Sequence, residues 1–140
     1  MDSRGATEFV LDSGYTYHMF SYTDWFSTYE LLDLGVVLMG NDAQCNVVGV
    51  GNIQIKTHDS ILRTLSNVCH ILDLKRNYIS LGTLESNGCK YSTEGGVLKI
   101  SKGALVLMKG EICGSLYILQ GSIVTDSAAV TITSSEVDHT

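Results

Sequence analysis

Leu11-Asp12-Ser13-Gly14 puts a carboxylate on a tight turn at the end of an apolar run, Phe9-Val10-Leu11. Such an approach buries the turn, and a lone buried carboxylate is costly unless it is paired or hydrogen-bonded. Asp-Ser-Gly occurs once in the chain, so a close pair of these carboxylates forms only where two copies of the chain meet. Like charges that close do not both ionise, and the pair shares a proton. One aspartate then acts as base toward a water and the other as acid toward a carbonyl, which is the chemistry of hydrolysis. In that arrangement Ser13 hydrogen-bonds across the axis, and Gly14 lets backbone approach backbone. The competing reading of the same three letters is an ordinary turn.

Two further stretches bear on Asp12. The run 36–55, with a Gly-containing tip at Met39-Gly40-Asn41-Asp42, has the pattern of a β-hairpin. It is either a plain hairpin or a flap that closes over an extended peptide and excludes water. Tyr78-Ile79-Ser80-Leu81-Gly82 is a second apolar strand ending in glycine. Ile79, Leu81 and Gly82 are expected to buttress the Asp12 loop. His18 lies near Ser13, but a serine mechanism needs nucleophile, base and orienting acid in contact, and nothing in this spacing indicates one. His18 is therefore read as a structural or surface histidine, and His58 and His139 as solvated ones.

The elements that must position these residues are strands. The chain has 140 residues, 44% of them hydrophobic, with 14 Gly and no Pro, and a net charge of −6. That is enough for one globular domain, or one with extensions. Strand-like runs recur about every ten residues between Gly, Asn and Asp, which indicates an all-β fold. The expected strands are 8–11, 36–39, 45–56, 61–65, 67–72, 79–81, 91–93, 97–102, 104–109 and 116–119. Residues 17–28 are expected to form an irregular loop with a short helical turn at 24–29. A short helix is expected at 82–86, stopped by Asn87-Gly88. A barrel over 8–94, a β-extension over 95–121 and a flexible tail over 122–140 complete the division. With no basic run, direct nucleic-acid binding is disfavoured. No stretch has the length of a membrane span, and no signal core follows the N-terminus. Cys45, Cys69, Cys89 and Cys113 are scattered without close pairs, so neither a metal nor another cofactor is expected, and reduced thiols in the cytoplasm are the better reading.

Several pieces, in order, resemble the protease region of copia-type (pseudoviral) retrotransposon Pol polyproteins, especially plant ones. They are Leu-Asp-Ser-Gly at 11–14 with Tyr-His-Met at 17–19, Trp-Phe-Ser-Thr-Tyr-Glu at 25–30, Val-Leu-Met-Gly-Asn-Asp at 37–42, Val-Val-Gly-Val-Gly at 47–51, Ile-Ser-Leu-Gly-Thr-Leu at 79–84 and Gly-Ser-Leu-Tyr-Ile-Leu-Gln-Gly at 114–121. The resemblance spans roughly residues 8–124. It implies a retropepsin-like closed β-barrel, and a homodimeric aspartic endopeptidase that cuts its own Gag-Pol polyprotein inside a virus-like particle. Carried over by position, Asp12 is catalytic, Ser13 and Gly14 complete its loop, and Met39, Gly40, Asn41 and Asp42 form the flap. The chain departs from the family at Tyr15, where a small alanine is usual, and at Glu8-Phe9, where an aromatic residue precedes the strand. Tyr15 is expected at the cleft floor, filling central subsites or turned into solvent, and so weakening catalysis. The alternative reading is an inactive transposon-derived barrel or a peptide-binding module.

Overall fold

The computed structural model describes residues 8–32, 35–38, 44–72, 74 and 76–124. Its elements are β1 (Phe9–Asp12), β2 (Met19–Phe20), a 3-10 turn (Thr23–Trp25), β3 (Phe26–Leu31), β4 (Val36–Leu38), β5 (Gln44–Asn46), β6 (Gly49–Thr57), β7 (Leu62–His70) and β8 (Asn77–Ser80). After these come α1 (Leu81–Ser86), β9 (Lys90–Glu94), β10 (Val97–Lys102), β11 (Leu105–Cys113), β12 (Leu116–Leu119) and β13 (Gly121–Val124). Eleven strands share one sheet, in the order β13-β6-β7-β2-β8-β1-β12-β11-β10-β9, with β3 also on β6. β4 and β5 form a separate two-stranded sheet. The fold is all-β with one short helix, as the strand spacing anticipates.

The expected closed barrel is corrected in one respect: among the described residues, hydrogen bonds do not close the sheet. The chain does the joining instead. β12 lies antiparallel to β1, with Val10 opposite Ile118, while β13 lies antiparallel to β6, with Ile123 opposite Ile55. Gln120 alone separates the two strands, and its amide donates to the Lys109 carbonyl at 2.9 Å. The change of partner needs backbone against backbone at Gly121, where a β-carbon would sit 2.6 Å from the Lys56 carbonyl oxygen.

Two further segments join this sheet. The strands of the β-extension expected over 95–121, β10, β11 and β12, continue the sheet that contains β1. Leu98, Ile100, Met108 and Leu119 join Phe9, Phe20, Ile53 and Ile79 in one core. The tail does not begin at 122, because Ile123 is 1% exposed against β6. Residues 125–140 lie outside the described residues. The local reason is alternation: in β10 only Leu98 and Ile100 are buried, between outward Val97, Lys99 and Ser101.

Other elements differ in detail. The irregular loop expected over 17–28 contains β2 and the start of β3. Phe20 is fully buried and stacks on Phe9 at 5.0 Å, and this packing, not local pattern, makes the short strand. The two strands expected over 61–72 are one, β7, in which Asn67 takes a φ of 56° opposite a register shift between Gly51 and Ile53. The hairpin expected over 36–55 is shorter, pairing Val36 with Asn46 and Leu38 with Gln44, and Val47-Val48 separate it from β6.

Candidate functional site

Asp12 ends β1 directly opposite Ser80 of β8, in a parallel pairing that also sets Leu11 against Ile79. Parallel neighbours joined across the whole 13–76 stretch bring two distant turns to one place, the Asp12 loop and the β8–α1 junction. Asp12 is half-buried, and its Oδ1 accepts the Gly14 amide at 2.7 Å. Ser13 and Gly14 are exposed. A β-carbon at Gly14 would lie 3.1 Å from the same Oδ1, so the tight turn favours glycine there.

The far side of the loop is held by the β8–α1 junction. The Ser80 amide donates to Nδ1 of His18 at 2.9 Å. The Ser80 hydroxyl donates to the Tyr15 carbonyl at 2.7 Å and accepts the Thr83 amide at 3.0 Å, capping α1. The Thr83 hydroxyl donates to the Thr16 carbonyl at 2.6 Å. His18 is 3% exposed, and burial lowers its pKa from 6.5 to about 4. With Nδ1 accepting, the ring is neutral and carries its proton on Nε2. Its acceptor is engaged by Ser80, so it is a structural histidine and no base for Ser13.

Ile79 and Leu81 are buried in the main core beneath the loop, and Gly82 is exposed in the first turn of α1. Ser80, Thr83 and His18, which the sequence did not single out for this loop, form its polar contacts with the β8–α1 junction. A serine just before a short helix is a legible N-cap signal, whereas its reach back to residues 15–18 is not.

Tyr15 neither hangs in solvent nor stands alone on a cleft floor. Its half-buried ring packs on Tyr78, with centroids 4.5 Å apart, against the small core of Met19, Val47, Cys69 and Ile71. Burial, with the neighbouring Tyr15 and Asp12, pushes the Tyr78 hydroxyl up to about 12. Cys45 borders the same cluster, and burial pushes the Cys69 thiol up as well. The flap residues Met39, Gly40, Asn41 and Asp42 lie outside the described residues, although the strands β4 and β5 that would carry them are paired.

The remaining polar clusters are structural in character. The Tyr29 hydroxyl meets His70 Nδ1 at 2.7 Å, and His70 Nε2 meets the Ser21 carbonyl at 3.2 Å. Cys69 and His70 face different clusters, as neighbours on a strand must. Of the solvated histidines expected, His58 is half-buried and His139 lies outside the described residues. All four cysteines are free. Among the described residues no group of three or more metal-binding side chains forms, and no helix is long and apolar enough to cross a membrane.

Residues 9–89 match the family model described as "Pol polyprotein, beta-barrel domain". Over 111 residues, 79% of this chain, the sequence is 34% identical to the retrovirus-related Pol polyprotein from transposon TNT 1-94 of tobacco, Nicotiana tabacum. The aligned stretch spans 8% of that relative's length. No solved structure matches the chain.

Proposed function

The chain belongs to the Pol polyprotein β-barrel family of transposons, and from that premise we propose that it is an aspartic endopeptidase half-site, completed when two copies pair Asp12 with Asp12. The observation that carries the reading is the parallel seat of Asp12 on Ser80 at the end of an apolar strand, with a capped short helix directly behind it. This seat presents one carboxylate at an exposed turn, and β4 and β5 form a hairpin sheet of their own. Two such turns facing across a two-fold axis bring the carboxylates close enough to share a proton. The ionised partner then takes a proton from water as the water attacks the scissile carbonyl, and the protonated partner donates to the carbonyl oxygen. A polyprotein strand would bind through main-chain hydrogen bonds to the hairpin, which makes a Gag-Pol polypeptide the substrate class and a virus-like particle the setting.

The test is cleavage of a set of extended peptides at mildly acid pH across a dilution series. Specific activity should fall as the protein is diluted below its dimer constant, and a pepstatin-type inhibitor should draw monomers into dimers. Asp12→Asn should fold and lose cleavage. Activity above about a thousandth of the parent rate in that variant would sink the assignment, since losing a catalytic group usually costs more.

A further inference from the structure

We propose that His18 is a positioning residue: seated on the Ser80 amide, it clamps the Asp12 loop into its working shape within a single chain, before a second copy docks. This rests on the reading of Asp12 as the reactive carboxylate.

The loop leaves β1 at Asp12 and re-enters the sheet at β2. Both ends are pinned to one residue of β8. Asp12 is opposite Ser80 in register, and His18 takes the Ser80 amide at 2.9 Å. The backbone of His18 is fixed as well, its carbonyl accepting the Cys69 amide at 2.8 Å. Between these ends the carbonyls of Tyr15 and Thr16 are taken by the hydroxyls of Ser80 and Thr83, at 2.7 and 2.6 Å. Ser13, Gly14, Thr16 and Tyr17 are exposed, so Tyr15 alone gives residues 13–17 apolar packing. Polar clamping therefore decides the loop's shape, and its buried members are His18 and Ser80, of which His18 belongs to the loop side. An amide N–H buried without an acceptor is unfavourable, so the Ser80 amide holds the imidazole and the imidazole holds the chain at 18. All these bonds lie within one chain, whereas the Ser13 cross-axis bond expected from sequence would need the dimer.

The experiment is residue-resolved amide hydrogen exchange on the full chain, with cleavage measured in parallel. His18→Phe keeps the ring's bulk and removes the acceptor, and His18→Asn keeps an acceptor near Nδ1. In His18→Phe the Ser80 and Gly14 amides should exchange about tenfold faster or more, while Ile55 and Leu65 in the core exchange as in the parent. His18→Asn should restore protection to within about threefold, and it should restore turnover without changing the dimer constant. Unchanged exchange at Ser80 and Gly14 in His18→Phe, or equal losses in both variants, would overturn the clamp. Should His18→Phe fail to fold, Thr83→Val decides: it removes only the bond to the Thr16 carbonyl. Faster exchange at Gly14 with an unchanged core supports the clamp, and unchanged exchange at Gly14 refutes it. A parent chain that never cleaves, yet shows the expected exchange pattern, would refute the endopeptidase and leave the clamp standing.

Discussion

Cutting the chain after Glu94 should abolish the fold, although the family match ends at residue 89. Among its described residues the removed part carries five buried apolar side chains: Leu98, Ile100, Met108, Leu119 and Ile123, at 2%, 1%, 4%, 6% and 1% exposure. Each contributes roughly 1.5–3 kcal/mol by leaving water. Together they contribute on the order of 10 kcal/mol, against a total stability of about 5–15 kcal/mol for a typical domain. The cut also strips β12 from β1, exposing the edge of the very strand that ends in Asp12. It removes β13 from β6, and with it the chain that links the two sides of the sheet. The assay compares residues 8–94 with residues 8–124 by far-UV circular dichroism and urea unfolding followed through Trp25. The longer fragment should unfold cooperatively, and the shorter one should show no transition. A cooperative transition in 8–94, with an m-value in proportion to its length, would refute the reasoning and restore 95–121 as an extension.

Two further outcomes follow from the same geometry. Folding lowers the pKa of His18 from 6.5 to about 4, so the unfolded chain binds this proton more readily, and stability is lost as pH falls from 6.5 toward 4. The loss should reach about 3 kcal/mol near pH 4, and His18→Asn should flatten that part of the pH–stability curve; an equal slope in both proteins would assign the effect to other groups. Tyr15→Ala removes a half-buried ring packed on Tyr78, and should cost roughly 1–3 kcal/mol by leaving a cavity. Turnover per folded dimer should fall in the same variant, because Tyr15 gives the Asp12 loop its apolar packing, and a rise would show that the ring obstructs a working cleft.

Local features were legible in the order of the residues. Alternating apolar residues between glycines and asparagines made the strands legible, and Leu116–Leu119 emerged with its observed bounds. The turn at Asp12, the short helix before Asn87-Gly88 and the apolar strand at Ile79 all depend on neighbours within a few residues, where pattern is informative. The family was legible for the same reason, because its pieces are short and ordered along the chain. Which distant strands become neighbours is a property of the folded chain. Nothing in Gly-Ser-Leu-Tyr-Ile-Leu says that it lies beside Val10 and Leu11, more than a hundred residues away. The β1–β12 pairing that ties this segment to the Asp12 strand is therefore invisible to local pattern. β2 is two residues long and has no periodicity of its own, and its strand geometry comes from flanking strands and from Phe9 on Phe20. The clamp of His18, Ser80 and Thr83 has the same origin. Hydroxyls and imidazoles bond according to what the fold brings within about 3 Å, and that proximity is set by the parallel pairing of β1 with β8.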